Sequence, residues 1–279
     1  MKYDILEELG RGKFGRVYRG VSQRTGETVA IKCETEPVLL KHEASILHYL
    51  HRAGCREGVP SIYWFGRPAN EDLRALVMTF MDGGSLETIM GDAATRDRLM
   101  HYWRRLVTIL RQIHSAGVVH RDIKPANCML RGGDIFLVDF GLANIIDYVE
   151  EEQEEEEDHN RQKHVVGTPT FMSAHVLSGC RPTRRDDLAS LGYTFLYCLG
   201  AMEFRDEVFA ARPQDVDAIS VAITDARHPR NVRILEQKMA WLEGIGSSSY
   251  MRMCHSLRIN EIPNYEAALL ELPDKDLFG

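Results

Sequence analysis

Between His120 and Gly141 the chain gathers residue types that could do phosphate chemistry. His120-Arg121-Asp122-Ile123-Lys124-Pro125-Ala126-Asn127 comes first, and Asp139-Phe140-Gly141 closes the stretch. The side-chain oxygens of Asn127 and Asp139 are hard donors, suited to Mg²⁺ carried in on a nucleotide's phosphates. Asp122 is left to orient a hydroxyl and accept its proton. Val118-Val119, Cys128-Met129-Leu130 and Ile135-Phe136-Leu137-Val138 are short, β-prone runs, and Gly132-Gly133 turns the second into the third. That hairpin brings Asn127 and Asp139 toward one point. A lone Asp-Phe-Gly carries little weight; the two segments at this spacing are specific.

Several upstream segments must position these groups. Residues 3–9 form a strand running into Gly10-Arg11-Gly12-Lys13-Phe14-Gly15, and Val17-Tyr18-Arg19-Gly20-Val21 continues as a strand. Dinucleotide folds use the same glycine spacing, but there the glycines open a helix and an acid follows roughly 20 residues on. Here they fall in a hairpin, where missing Cβ atoms let backbone N–H groups approach phosphates. Thr28-Val29-Ala30-Ile31-Lys32 is the next strand; a lysine at its end is commonly no more than an exposed terminus. Leu40 to Leu47 reads as a helix containing Glu43, whereas Glu34 and Glu36 precede Pro37 and fall outside it. Residues 59–66 and 74–78 complete a small, mostly antiparallel sheet.

The remainder reads as helical. From Thr95, as N-cap, to Ser115, the residues Leu99, Trp103, Leu106, Leu110 and Ile113 recur at helical spacing, closed by Gly117. Asp187 to Leu199 is a second buried helix, with Leu188, Leu191, Phe195 and Leu199 on one face, and Trp241 to Leu272 adds helical pieces broken by Pro263. The expected fold is α+β and bilobal: a small antiparallel β lobe and a larger helical lobe.

Composition bounds the reading. A chain of 279 residues with 44% hydrophobic and 27% charged residues suits one large domain or two small lobes. No apolar run approaches the roughly 20 residues needed to cross a bilayer, and Met1-Lys2-Tyr3-Asp4 does not open a secretory signal. Six cysteines stand apart with no C-x-x-C pair, as expected of thiols in a reducing compartment, so the chain is expected to be intracellular, cytoplasmic or nuclear. Glu150 to Asp158 holds eight carboxylates interrupted only by Gln153; removing them from the formal net charge of −7 leaves +1. The acidity belongs to one loop, and nothing in the pattern points to a nucleic-acid or membrane partner.

The central segments resemble the H-R-D-x-K-x-x-N and D-F-G motifs of the eukaryotic protein kinases, and the similarity covers essentially the whole chain. The resemblance implies ATP and Mg²⁺ as cofactors and protein substrates as partners. Gly10, Gly12 and Gly15 would cover the phosphates; Lys32 would contact them and pair with Glu43. Residues 79–86 resemble the hinge between lobes 1–78 and 87–279, the latter with an acidic insert at 149–160. Met78 would be the gatekeeper, the backbone of Thr79, Phe80 and Met81 would hydrogen-bond adenine, and Val17, Ala30 and Met129 would sandwich it. Asp122 would be the base, with Asn127 and Asp139 holding metal. Lys124 is the Ser/Thr-kinase form, placed to bridge Asp122 and the transferred phosphoryl, with Thr168 bonded to this pair. The rivals are a pseudokinase-type ATP-site scaffold and a small-molecule phosphotransferase; Gly167-Thr168-Pro169, a peptide-positioning segment in protein kinases, speaks against the latter.

Within the kinases, Thr183-Arg184-Arg185-Asp186-Asp187-Leu188-Ala189-Ser190-Leu191-Gly192 and Ser256-Leu257-Arg258-Ile259-Asn260-Glu261-Ile262-Pro263-Asn264-Tyr265 resemble segments of the casein kinase 1 family. Ser173-Ala174-His175 stands where most kinases have A-P-E. The chain departs from that family at His120, at Asp82-Gly83-Gly84, at Gly200 to Phe204, and at Thr170, where the family carries an arginine that reads upstream phosphate or acid. Weak reading of phosphate-primed sites is therefore expected, unless Lys163, Arg181 or Arg184 substitutes. No serine or threonine lies between Asp139 and Thr168, so activity independent of loop phosphorylation is expected, with the acidic run favouring basic substrates.

Overall fold

The structure, a computed structural model, describes residues 2–11, 15–34, 37–68, 73–90, 93–146, 165–200, 225–243 and 249–271. Gly12, Glu36, Lys163, residues 201–204, the acidic run and the rest of the insert at 149–160 lie outside the described residues.

The amino-terminal lobe is a five-stranded antiparallel sheet in the order β1-β2-β3-β5-β4. Its strands are β1 (Tyr3–Arg11), β2 (Gly15–Ser22), β3 (Thr28–Glu34), β4 (Ile62–Gly66) and β5 (Arg74–Thr79). Side chains alternate across a strand, and β3 uses both faces. Val29, Ile31 and Cys33 join Ala75 and Val77 in one apolar cluster under Tyr3, Tyr18, Trp64 and Leu73. Ala30 lies on the opposite face with Leu40, Ala44, Leu76 and Met78, against helix α1 (Pro37–Arg52). The same alternation puts Lys32 on the α1 side. The lysine is therefore half-buried under a helix, not an exposed strand end.

The larger lobe is built around α3 (Ala93–Ser115), reached through the short α2 (Leu86–Ile89). The expected apolar positions Leu99, Trp103, Leu106, Leu110 and Ile113 are all buried. The helix begins two residues before the expected N-cap Thr95, as Ala93 and Ala94 are strong helix formers. Trp103 meets Phe195 and Tyr250 edge-on at 4.7 and 4.8 Å, and its Nε1 donates to the Ala268 carbonyl at 3.1 Å. After β6 (Val118–Val119), the expected hairpin forms from β7 (Cys128–Arg131) and β8 (Asp134–Leu137), pairing Met129 with Phe136, and β9 (Asn144–Ile145) pairs with β6.

Helices α4 (Ala174–Leu177), α5 (Arg184–Cys198), α6 (Pro229–Glu243), α7 (Ser249–Ser256) and α8 (Tyr265–Leu270) complete the described lobe. α5 starts earlier than its apolar spacing suggests because Thr183 and Asp186 form a capping box, the Thr183 N–H donating to Asp186 Oδ2 at 2.8 Å. Leu199 is its C-cap and only half-buried. α6 begins well before the expected Trp241. All six cysteines are free thiols, and no helix among the described residues is long and apolar enough to cross a membrane.

Candidate active site

Lys32 is the pivot between the lobes. Its Nζ donates to Glu43 Oε2 at 2.7 Å and to Asp139 Oδ1 at 2.9 Å, while Glu34, the strand-end alternative, stands at 3.9 Å. Burial opposes the Lys32 charge, but the two carboxylates outweigh it and raise the pKa. Burial raises Glu43 despite its lysine partner. It acts on Asp139 too, yet the Lys32 charge and hydrogen bond leave that carboxyl below its ordinary value. α1 is itself tied to the segment after Asp139, since His42 Nε2 lies 2.6 Å from the Ala143 carbonyl.

Across the cleft, four side chains meet. Thr168 Oγ1 donates to Asp122 Oδ1 at 2.7 Å, and Lys124 Nζ donates to Asp122 Oδ2 at 2.7 Å and to Thr168 Oγ1 at 3.0 Å. Asn127 Nδ2 donates to the Asp122 carbonyl at 2.8 Å and to Oδ2 at 3.1 Å. Pro125 opens the 3₁₀ turn Pro125–Asn127, where its fixed φ suits a first helical position and its missing N–H is not needed. Thr168 arrives from a distant segment because Gly167 has φ 122; a Cβ there would stand 2.5 Å from the Arg121 carbonyl. Only glycine permits that approach.

The loop backbone is held by Asp187, which the sequence reading did not place at the site. Its Oδ2 accepts the His120 N–H at 2.7 Å, and its Oδ1 accepts the Arg121 N–H at 2.9 Å. His114 Nε2 lies 2.9 Å from Oδ2 and its Nδ1 2.7 Å from the Tyr265 hydroxyl. Burial would raise the Asp187 pKa, but the histidine and backbone partners leave it lowered. Arg121 and Asp139 are the only non-glycine residues at positive φ among those described, at 71 and 65. Such conformations persist only where surroundings fix them. The signal for Asp187 was present in the Arg184 to Asp187 run, but its reach to residue 120 was not.

These groups line one cleft of about 590 Å³ between the lobes. It collects Gly10, Gly15, Val17, Ala30, Lys32, Glu43, Met78, Thr79, Phe80, Met81, Asp122, Lys124, Asn127, Met129, Asp139 and Thr168. Every expected site residue is there except Gly12, which lies outside the described residues. Glu34, Gly141 and Gly167, from the segments singled out in the sequence, also line it, as do Leu9, Leu39, Pro60, Ala126, Val138 and Leu142, which carried no chemical signature there. The Thr79 N–H is spent on the Ser61 carbonyl at 3.0 Å, so Thr79 could meet a ligand's edge only through its carbonyl. Gly15 allows close packing in the covering hairpin, since a Cβ would meet the Cys33 carbonyl at 2.1 Å.

The donor set fits a hard divalent cation. With its amide nitrogen engaged by Asp122, Asn127 offers its oxygen, and the Asp139 side chain is 45% exposed. Among the described residues no group of three or more His, Cys, Asp or Glu could hold a metal. Phosphate and water oxygens would therefore complete the shell.

A small lobe that pairs a strand lysine with a helix glutamate, facing an Asp-Asn-Asp constellation on a helical lobe, defines a nucleotide-dependent phosphotransferase. A family model described as the protein kinase domain matches residues 3–256, and the chain belongs to that family. Its fold is the bilobal α+β protein kinase fold. A protein kinase domain uses ATP with a divalent metal and acts on protein substrates.

Proposed function

We propose that the chain transfers the γ-phosphoryl group of MgATP to Ser or Thr hydroxyls of protein substrates. The observation that carries this reading is the closed set of hydrogen bonds among Asp122, Lys124 and Thr168. Asp122 accepts the proton of the attacking hydroxyl. Lys124 donates to the carboxylate and neutralises charge developing on the transferred group, and Thr168 fixes the carboxylate's second oxygen. Lys32, oriented by Glu43, holds the phosphates under Gly10 and Gly15. Met78, Val17, Ala30 and Met129 enclose adenine, with the backbone of Thr79, Phe80 and Met81 reading its edge. Mg²⁺ on Asn127 and Asp139 would supply charge neutralisation at the phosphates.

On this reading residues 1–78 and 87–279 are the lobes and 79–86 the hinge. The Thr183 to Gly192 and Ser256 to Tyr265 segments support a divergent relative of casein kinase 1; the lack of Ser or Thr between Asp139 and Thr168 supports activity without loop phosphorylation, and the acidic run supports a preference for basic substrates. The presence of Lys32, Glu43, Asp122, Asn127 and Asp139 in one cleft argues against a scaffold without turnover. Incubation with labelled ATP and a mixed peptide library tests the proposal, with Asp139→Asn as control. The expected result is label on Ser or Thr for the native chain alone; incorporation no greater than the control's refutes it.

A further inference from the structure

Lys238 is fully buried on α6, one turn beyond Ile234 on the same face. Its Nζ donates to the Pro169 carbonyl at 3.2 Å and to the Met172 carbonyl, and sits 3.9 Å from the centre of the Tyr193 ring. The Tyr193 hydroxyl in turn lies 3.1 Å from His255 Nε2. Pro169 to Met172 is a tight turn in which the N–H groups of Phe171 and Met172 both bond the Thr168 carbonyl, at 2.9 and 3.1 Å.

The turn is anchored at both ends. Thr168 is bonded to Asp122, and Ser173 Oγ donates to Asp186 Oδ1 at 2.5 Å. Between those anchors two carbonyls converge on one amine. Ile234 adds apolar contact with Val165, Met172, Val176 and Leu177. A leucine in place of Lys238 would fill space without the desolvation cost of an amine, but it would not draw two carbonyls inward.

We propose that Lys238 is a positioning residue for peptide recognition, fixing the Pro169–Met172 turn, and Thr168 with it, against α6. The inference rests on the peptide phosphorylation proposed above. Burial holds the amine well below its ordinary pKa, and it can donate to both carbonyls whether charged or neutral.

Two variants test this: Lys238→Met, which keeps the stem and removes the donors, and Lys238→Gln, which keeps a shorter donor. The readouts are peptide KM and kcat, ADP affinity by calorimetry, and hydrogen exchange at the amides of Phe171 and Met172. Losing a buried donor to two carbonyls should raise peptide KM by about tenfold in Lys238→Met, with ADP affinity within about twofold of native and Lys238→Gln between the two. Exchange at Phe171 and Met172 should quicken. A native-like KM and native exchange in Lys238→Met overturn the proposal. So does ADP affinity falling in step with peptide KM, or failure of both variants to fold, since either makes Lys238 a part of the fold. If the native chain labels no peptide, the function proposed above fails, and exchange alone judges Lys238: unchanged protection refutes it.

Discussion

Asp187 Oδ1 accepts the backbone N–H of Arg121 at 2.9 Å, although Arg121 sits at φ 71. A carboxylate buried at the start of α5 thus fixes the backbone immediately ahead of Asp122. Replacing Asp187 by Asn turns one acceptor oxygen into a donor facing a donor. The expected cost is about 3 kcal/mol of stability, the scale for breaking a buried charge-assisted network. kcat should fall by about tenfold or more as Asp122 loses its orientation. Urea unfolding beside steady-state kinetics checks both; native kcat in a folded variant would detach Asp187 from the site.

Thr168 links the peptide-side turn to Asp122, and its hydroxyl is the group that matters. Thr168→Ala should lower kcat by roughly ten- to a hundredfold, within the range for a positioned proton-transfer partner. Thr168→Ser should recover most of it, and ADP affinity should not move in either variant. Equal loss in the serine and alanine variants would assign the effect to packing.

His255 gives the fold a definite acid sensitivity. Burial first, then the charges of His175, Lys238 and Arg185, push its pKa down to about 3. The folded-state pKa is below the unfolded value near 6.5, so between the two the unfolded chain binds a proton that the folded chain excludes. Stability is therefore retained above about pH 6.5 and falls by about 1.4 kcal/mol per pH unit below it. Urea midpoints of the native chain and His255→Gln from pH 7.5 to 4.5 read the difference, which should shrink steadily with acid. Parallel curves would show that His255 does not titrate this way.

Thr170 is 4% exposed, so it cannot present its hydroxyl to a substrate's upstream residue. Arg184, a candidate substitute, is also buried and bonds the His114 carbonyl at 3.3 Å. Matched peptides with phosphoserine or serine three residues before the target should therefore give kcat/KM values within about threefold, because neither Thr170 nor Arg184 can make a bidentate contact with the phosphate. A preference of tenfold or more for the primed peptide, on the same contact scale, would show another base at work.

The sequence alone determined what each group could do. Side-chain type settles whether an atom is a hard oxygen donor, a fixed cation or a proton acceptor, and the spacings of His120 to Asn127, Asp139 to Gly141 and Gly10 to Gly15 restrict the chemistry to few options. Apolar periodicity likewise gave the α+β division and the buried face of α3, since burial follows local helix and strand geometry, whereas α5 is buried nearly all round, its Arg184 to Asp187 included. Choosing Glu43 over Glu34 was legible as well, because Pro37 sets where α1 can begin. What only the tertiary structure decided are the contacts between distant segments. Asp187 reaching His120, Lys238 gripping Pro169 and Met172, and Gly167 passing the Arg121 carbonyl depend on how helices and loops dock. No local propensity encodes such docking: it is set by packing a whole core, where an aspartate or lysine becomes structural only through the partners the fold brings to it.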